Sequence, residues 1–110
     1  MNVQKLKITG IDKSEILEHL KGQLSFDYEN HSTDMSVLAT EDYYMRNNST
    51  QLNMIIAKVK DSCIYLDIIG SAGGTGFLNI NFWSEKGYVK KVLKILEKHR
   101  EEHNYTIEQL

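Results

Sequence analysis

Two histidines and a glutamate near the end of the chain have the spacing of a zinc site. Residues 99–103 read H-x-x-E-H, an order used by one class of zinc peptidases. On a helix, His99 and His103 would share a face and could bind zinc, with Glu102 as the general base. A catalytic zinc also needs a third protein ligand, and only seven residues follow the motif. The pattern is more typical of a charged last helical turn, so we predict no catalytic residue, no metal site and no cofactor.

A glycine-rich segment, residues 70–76, is the second candidate for chemistry. It lacks the Gly-Lys-Ser/Thr ending of a phosphate-binding loop, and its spacing is not G-x-G-x-x-G. The flanking residues predict strands, so no helix N-terminus would meet an anion there. We therefore expect Gly73, Gly74 and Gly76 to lie in a hairpin connection. The alternative is a flexible loop that covers a ligand.

Lysines at positions 86, 90, 94 and 98 recur every four residues and would form a basic stripe on one helix face. Glu97 interrupts that stripe, and no aromatic residues alternate with the lysines to stack on bases. The whole chain carries 13 basic and 15 acidic residues, a formal net charge of −2. We therefore expect a solvated helix face, with neither nucleic acid nor a membrane as a partner.

Length and composition predict one small domain. The 110 residues are 41% hydrophobic and 25% charged, and no apolar run approaches the roughly 20 residues of a membrane span. The single cysteine, Cys63, excludes an internal disulfide and is typical of a reducing compartment. We expect residues 1–110 to form one cytoplasmic domain, with a frayed tail over 102–110 and with dimerisation as a supplement to a modest core.

The first half of the chain predicts a strand, a helix and two further strands. Residues 2–9 alternate apolar and polar side chains, which is typical of a half-buried strand. Residues 13–24 repeat leucine and isoleucine at helical spacing, with Asp12 as the N-cap and Glu15 three residues later. Residues 25–50 contain short apolar pieces between turn clusters, from which we predict two short strands with loops.

The second half has clearer periodicity. Residues 51–60, 63–69 and 77–83 predict strands. In the last two, large apolar residues recur at every second position: Ile64, Leu66 and Ile68, then Leu78, Ile80 and Phe82. Ser84 is placed to cap a second amphipathic helix over roughly 85–101.

This order of elements predicts an α+β fold. We expect an antiparallel sheet of about five strands with two helices packed on one face, in the approximate order β-α-β-β-β-β-α. Ile64, Leu66 and Ile68 would then lie under the helices. The open face would present a ligand-binding or interface surface formed by Tyr65, Asp67, Asn79, Asn81 and Trp83.

Residues 43–96 also carry a family resemblance. The Tyr43-Tyr44 pair, the two strands that follow, the Gly73-Gly74 loop and the segment 79–85 form the pattern. In these features the chain resembles a family of small uncharacterised bacterial proteins, a domain of unknown function common in Firmicutes. The resemblance implies no activity, cofactor or catalytic residue.

Three hypotheses for the function follow. The first is a non-catalytic binding or interaction module that acts as a homodimer through the open sheet face or an edge strand. The second is a small-molecule-binding domain whose pocket, between sheet and helices, is lidded by the glycine loop 70–76. The third is a zinc-dependent hydrolase that uses His99, Glu102 and His103. The absence of a coherent catalytic set favours a protein that is not an enzyme.

Overall fold

The computed structural model describes residues 1–44, 49–72 and 78–110, without the side chains of 43, 44, 49, 71, 72 and 78–86. The described residues form six strands and two helices, neither helix being long and apolar enough to cross a bilayer. In chain order they are β1 (Asn2–Thr9), α1 (Lys13–Gln23), β2 (Tyr28–His31), β3 (Met35–Tyr44), β4 (Ser49–Lys60), β5 (Cys63–Ala72), α2 (Leu78–His103) and β6 (Thr106–Gln109).

The six strands form one antiparallel sheet in the order β2-β3-β4-β5-β1-β6. Strands β2 to β5 follow one another as a meander, while β1 lies between β5 and β6. The predicted α+β class with an antiparallel sheet and two helices is thereby confirmed, and the strand count is slightly higher than expected.

Both helices pack on the same face of the sheet, which we call the covered face. Because side chains alternate along a strand, Leu6 and Ile8 of β1 and every second residue from Ile64 to Ile68 of β5 are buried there. Leu20 of α1 and Leu96 of α2 are fully buried against them. Asp12 occupies the N-cap position of α1, although its side chain makes no capping hydrogen bond to the described residues.

Two predicted segments differ in the structure. Residues 77–83 were expected to form a strand, but α2 begins at Leu78 and includes Ser84, the expected cap. A short apolar run such as L-N-I-N-F fits both a period of 2 and helical i, i+4 spacing, so alternation alone misassigns it. Residues 106–109, expected to fray, instead pair with β1 as β6 because the edge of β1 offers free backbone groups.

Gly10 joins β1 to α1 with a φ of +100°, a backbone conformation that side chains disfavour. Gly10→Ala is therefore expected to lower the free energy of unfolding by about 1–3 kcal/mol, measured by urea denaturation. Gly22→Ala is the matched control, because Gly22 is an exposed residue of α1 with nothing within 4 Å of the added Cβ. The control should raise stability by about 0.5–1 kcal/mol. Equal effects of the two substitutions would contradict this account.

Candidate functional site

The face of the sheet opposite the helices, the open face, carries apolar side chains across its central strands. The register aligns Val37 of β3 with Ile56 of β4, and Met54 of β4 with Ile69 of β5. Cross-strand partners point to the same side of a sheet, so these side chains form continuous rows. We call this surface the apolar band; it comprises Val3, Met35, Val37, Leu52, Met54, Ile56 and Ile69.

Much of the apolar band is in contact with solvent. Val3, Met35 and Leu52 are 40%, 39% and 42% exposed. The other four side chains of the band are half-buried. An antiparallel sheet with one face in water normally places polar residues outward on that face. The apolar band departs from this pattern, which is typical of a surface that binds a partner.

Two of the five predicted surface residues lie beside the band. Tyr65 and Asp67 are half-buried on the open face of β5. Asp67 accepts a hydrogen bond from Lys5 Nζ at 3.0 Å, and the register places Lys7 and Lys58 on either side of Tyr65. A basic margin therefore borders the apolar band.

The other three predicted surface residues lie on a helix. Asn79, Asn81 and Trp83 belong to the first turns of α2 rather than to a sheet strand, and their side chains lie outside the described part of the chain. Gly73, Gly74 and Gly76 of the predicted loop also lie outside the described residues. The element that follows them in the chain is the helix α2 and not a strand, so the prediction of a hairpin connection is wrong. Of the five predicted surface residues, Tyr65 and Asp67 thus lie on the open face, next to apolar residues of β3 and β4.

Polar residues that were not predicted from the sequence line one end of the covered face. Gln51 and Asn53 continue the inward positions of Ile55 in β4 and are 1% and 0% exposed. Gln51 Nε2 donates to Asn53 Oδ1, and Asn53 Nδ2 donates to Asp42 Oδ2 at 2.7 Å. The sequence does carry a sign of this arrangement: Gln51 and Asn53 occupy the same alternate positions of β4 as the buried Ile55.

Next to these residues, Asp27 anchors the turn that follows α1. Its Oδ2 accepts hydrogen bonds from Thr40 Oγ1 at 3.1 Å and from the Glu41 backbone N–H at 2.9 Å. The Thr40 hydroxyl, which is buried, is therefore oriented as a donor toward Asp27 and keeps its lone pairs available as acceptors.

Three histidines meet where α1 crosses the end of α2. The rings of His19 and His99 stack with centroids 3.9 Å apart and an interplanar angle of 21°, and His103 lies 4.2 Å from His99. Tyr105 Oη donates to the Leu96 carbonyl at 3.1 Å and lies 2.9 Å from His99 Nδ1. Because the single hydroxyl proton is used on Leu96, Nδ1 of His99 carries the proton and donates to Tyr105.

Burial shifts the pKa values of His99 and Tyr105. It lowers the pKa of His99, and the neighbouring His19 and His103 lower it further, while Glu102 and Glu15 oppose the shift. Burial also raises the pKa of Tyr105 to about 12, with a further contribution from Glu97. His99 is therefore held neutral and Tyr105 remains a hydroxyl at neutral pH.

The H-x-x-E-H motif has a different arrangement from that of a metal centre. His99 and His19 meet through their ring faces, whereas metal ligands converge through nitrogen lone pairs in the ring plane. Glu102 and His103 are exposed. Among the described residues, no three His, Cys, Asp or Glu side chains form a group that could hold a metal ion.

The fold and these surfaces define a two-layer α+β domain with an antiparallel sheet. Comparison with protein families matches residues 3–100 to DUF6054, and the chain belongs to this family of unknown function. The resemblance to a domain of unknown function is thus confirmed, over residues 3–100 instead of 43–96. No curated protein and no solved structure matches the chain.

Proposed function

We propose that the protein is a cytoplasmic, non-catalytic binding module that acts as a homodimer through the open sheet face. The observation that carries the proposal is the apolar band, seven outward-facing apolar side chains on β1, β3, β4 and β5. The single Cys63 supports a reducing compartment.

A second copy of the chain suits this surface. Two sheets can pack face to face at about 10 Å with their side chains interdigitated, which buries both apolar bands. Such an interface is isologous, so one patch serves both partners. The formal net charge of −2 gives little repulsion between copies. Lys5 and Lys58 would lie at the margin, where interfaces are polar.

Charged substitutions in the apolar band test the proposal without disturbing the monomer. Leu52 faces Glu41 across the strands and Met35 faces Lys58, so Leu52→Lys and Met35→Glu each place opposite charges together. We expect wild type to sediment as a dimer. Each substitution should raise the dimer dissociation constant at least about 30-fold, because a charge is then buried in the interface. Analytical ultracentrifugation at several concentrations measures both.

Val59→Lys is the matched control. Val59 is an exposed apolar residue of β4 whose side chain points to the other side of the sheet, opposite Ile64. It should leave the dissociation constant unchanged. A monomeric wild type at high concentration would overturn the homodimer, as would a dimer that survives both band substitutions.

A further inference from the structure

A cavity of about 400 Å³ lies on the covered face, at the polar end of the sheet. The turn after α1 contributes Leu24 and Ser25, β3 contributes Thr40 and Asp42, and α2 contributes Tyr88 and Lys91. Its volume lies in the lower part of the range for small-molecule sites, which is about 300–1,000 Å³. The cavity therefore suits a ligand of modest size, held by groups from three elements.

Two buried carboxamide side chains, Gln51 and Asn53, support the wall of this cavity, although packing alone does not require polar residues there. Buried carboxamides cost free energy unless they are hydrogen-bonded, and apolar residues would fill the same positions of a sheet more cheaply. Here Gln51 donates to Asn53, and Asn53 donates to Asp42 Oδ2. This chain of donors fixes the Asp42 carboxylate at the cavity wall, as supporting residues do in binding sites.

Oppositely charged residues line the same cavity without forming an ion pair with each other. Asp42 lies on β3 and Lys91 lies on α2, and no ion pair joins these two described residues. The oriented Thr40 hydroxyl adds an acceptor beside Asp42. A ligand with one cationic and one anionic end would satisfy both charges, whereas a simple anion or cation would satisfy only one.

We propose that this cavity binds a small zwitterion of the α-amino acid class. The ammonium group donates to the Asp42 carboxylate and to Thr40 Oγ1, and the carboxylate group accepts from Lys91 Nζ. Leu24 and the buried Tyr88 ring offer apolar surface for the ligand's side chain. This site is separate from the proposed dimer interface, since the two lie on opposite faces of the sheet.

Thermal unfolding with each of the standard L-amino acids at millimolar concentration tests the site. At least one should raise the Tm by about 3 °C or more, because a ligand that binds only the folded state stabilises it. The N-acetyl and the carboxamide derivatives of that amino acid each lack one charge and should lose the shift. The shift should persist in Leu52→Lys, which alters only the open face.

Two substitutions locate the binding. Asp42→Asn keeps an oxygen acceptor for Asn53 while removing the negative charge, and Lys91→Gln removes the positive charge. Each should weaken the amino acid's affinity at least about 10-fold in isothermal titration calorimetry. Lys90→Gln is the matched control, because exposed Lys90 is the next residue on α2 and does not line the cavity. It should leave the affinity unchanged.

Three results would overturn the proposal. The first is that no free amino acid raises the Tm of the wild-type protein. The second is that a derivative with a single charge stabilises the protein as well as the zwitterion does. The third is that an amino acid binds equally well to the wild type and to the Lys91→Gln variant, which would place its site elsewhere.

Discussion

Replacing Tyr105 by alanine is expected to lower the free energy of unfolding by about 3–5 kcal/mol, the usual cost of removing a large buried aromatic side chain. Tyr105 is 4% exposed and packs in the core beside Gly10. Its hydroxyl also connects His99 of α2 to the Leu96 carbonyl. The substitution thus removes ring packing and two hydrogen bonds where β6 follows α2. Urea denaturation followed by circular dichroism measures the loss.

Two further tyrosine variants separate these contributions. Tyr105→Phe keeps the ring and should cost about 1–3 kcal/mol, because the buried Nδ1–H of His99 then lacks its acceptor. Tyr28→Ala, at a residue that is 55% exposed on the edge strand β2, should cost less than about 1 kcal/mol. A Tyr105→Ala protein as stable as Tyr28→Ala would contradict the role assigned to this side chain.

Acidification is expected to destabilise the protein through His99. Its pKa in the folded state lies below the ordinary 6.5, mainly because it is buried and then because His19 and His103 are close. The unfolded chain therefore binds this proton more readily. Neutral His99 therefore contributes its full stabilisation above the pKa that it has in the unfolded chain. That contribution is lost as the pH falls toward its lower pKa in the folded protein. The free energy of unfolding should decrease by up to about 1.4 kcal/mol per pH unit below about pH 6.5.

His99→Gln tests the source of that pH dependence. Glutamine keeps a donor for Tyr105 Oη but does not titrate, so its free energy of unfolding should change less between about pH 7 and 5 than that of wild type. His31→Gln serves as the control, because His31 lies on β2 and contacts Glu29 and Ser36 rather than the three-histidine cluster. It should retain the acid sensitivity. A His99→Gln protein with the wild-type slope would refute the assignment.

Local periodicity was sufficient to predict most elements of the fold. The alternation over 2–9 and 63–69 and the helical spacing over 13–24 correspond to β1, β5 and α1 within a few residues. These patterns are strong because one face of each element is buried. The segment 77–83 failed because its short apolar run satisfies two periods at once.

The sites were harder to predict because they depend on contacts between distant residues. His19 reaches His99 only because α1 packs on α2, and the residues are 80 positions apart in the chain. Likewise, the polar end of the covered face joins Asp42 to Asn53 across two strands. Tyr65 and Asp67 lie on the open face as expected, because strand alternation alone determines their side of the sheet.

The position of β1 between β5 and β6 has a consequence for the order in which the chain folds. Strands β2 to β5 connect neighbours in sequence and can form by closing short loops, at little cost in chain entropy. Paired residues of β1 and β5 are 54 to 68 positions apart in the chain, from Thr9–Cys63 to Asn2–Gly70, so β1 pairs only after a distant strand has formed. Strand β6 in turn can dock only onto β1. We therefore expect the meander of β2 to β5 to form first. The pairings of β1 with β5 and with β6 form last.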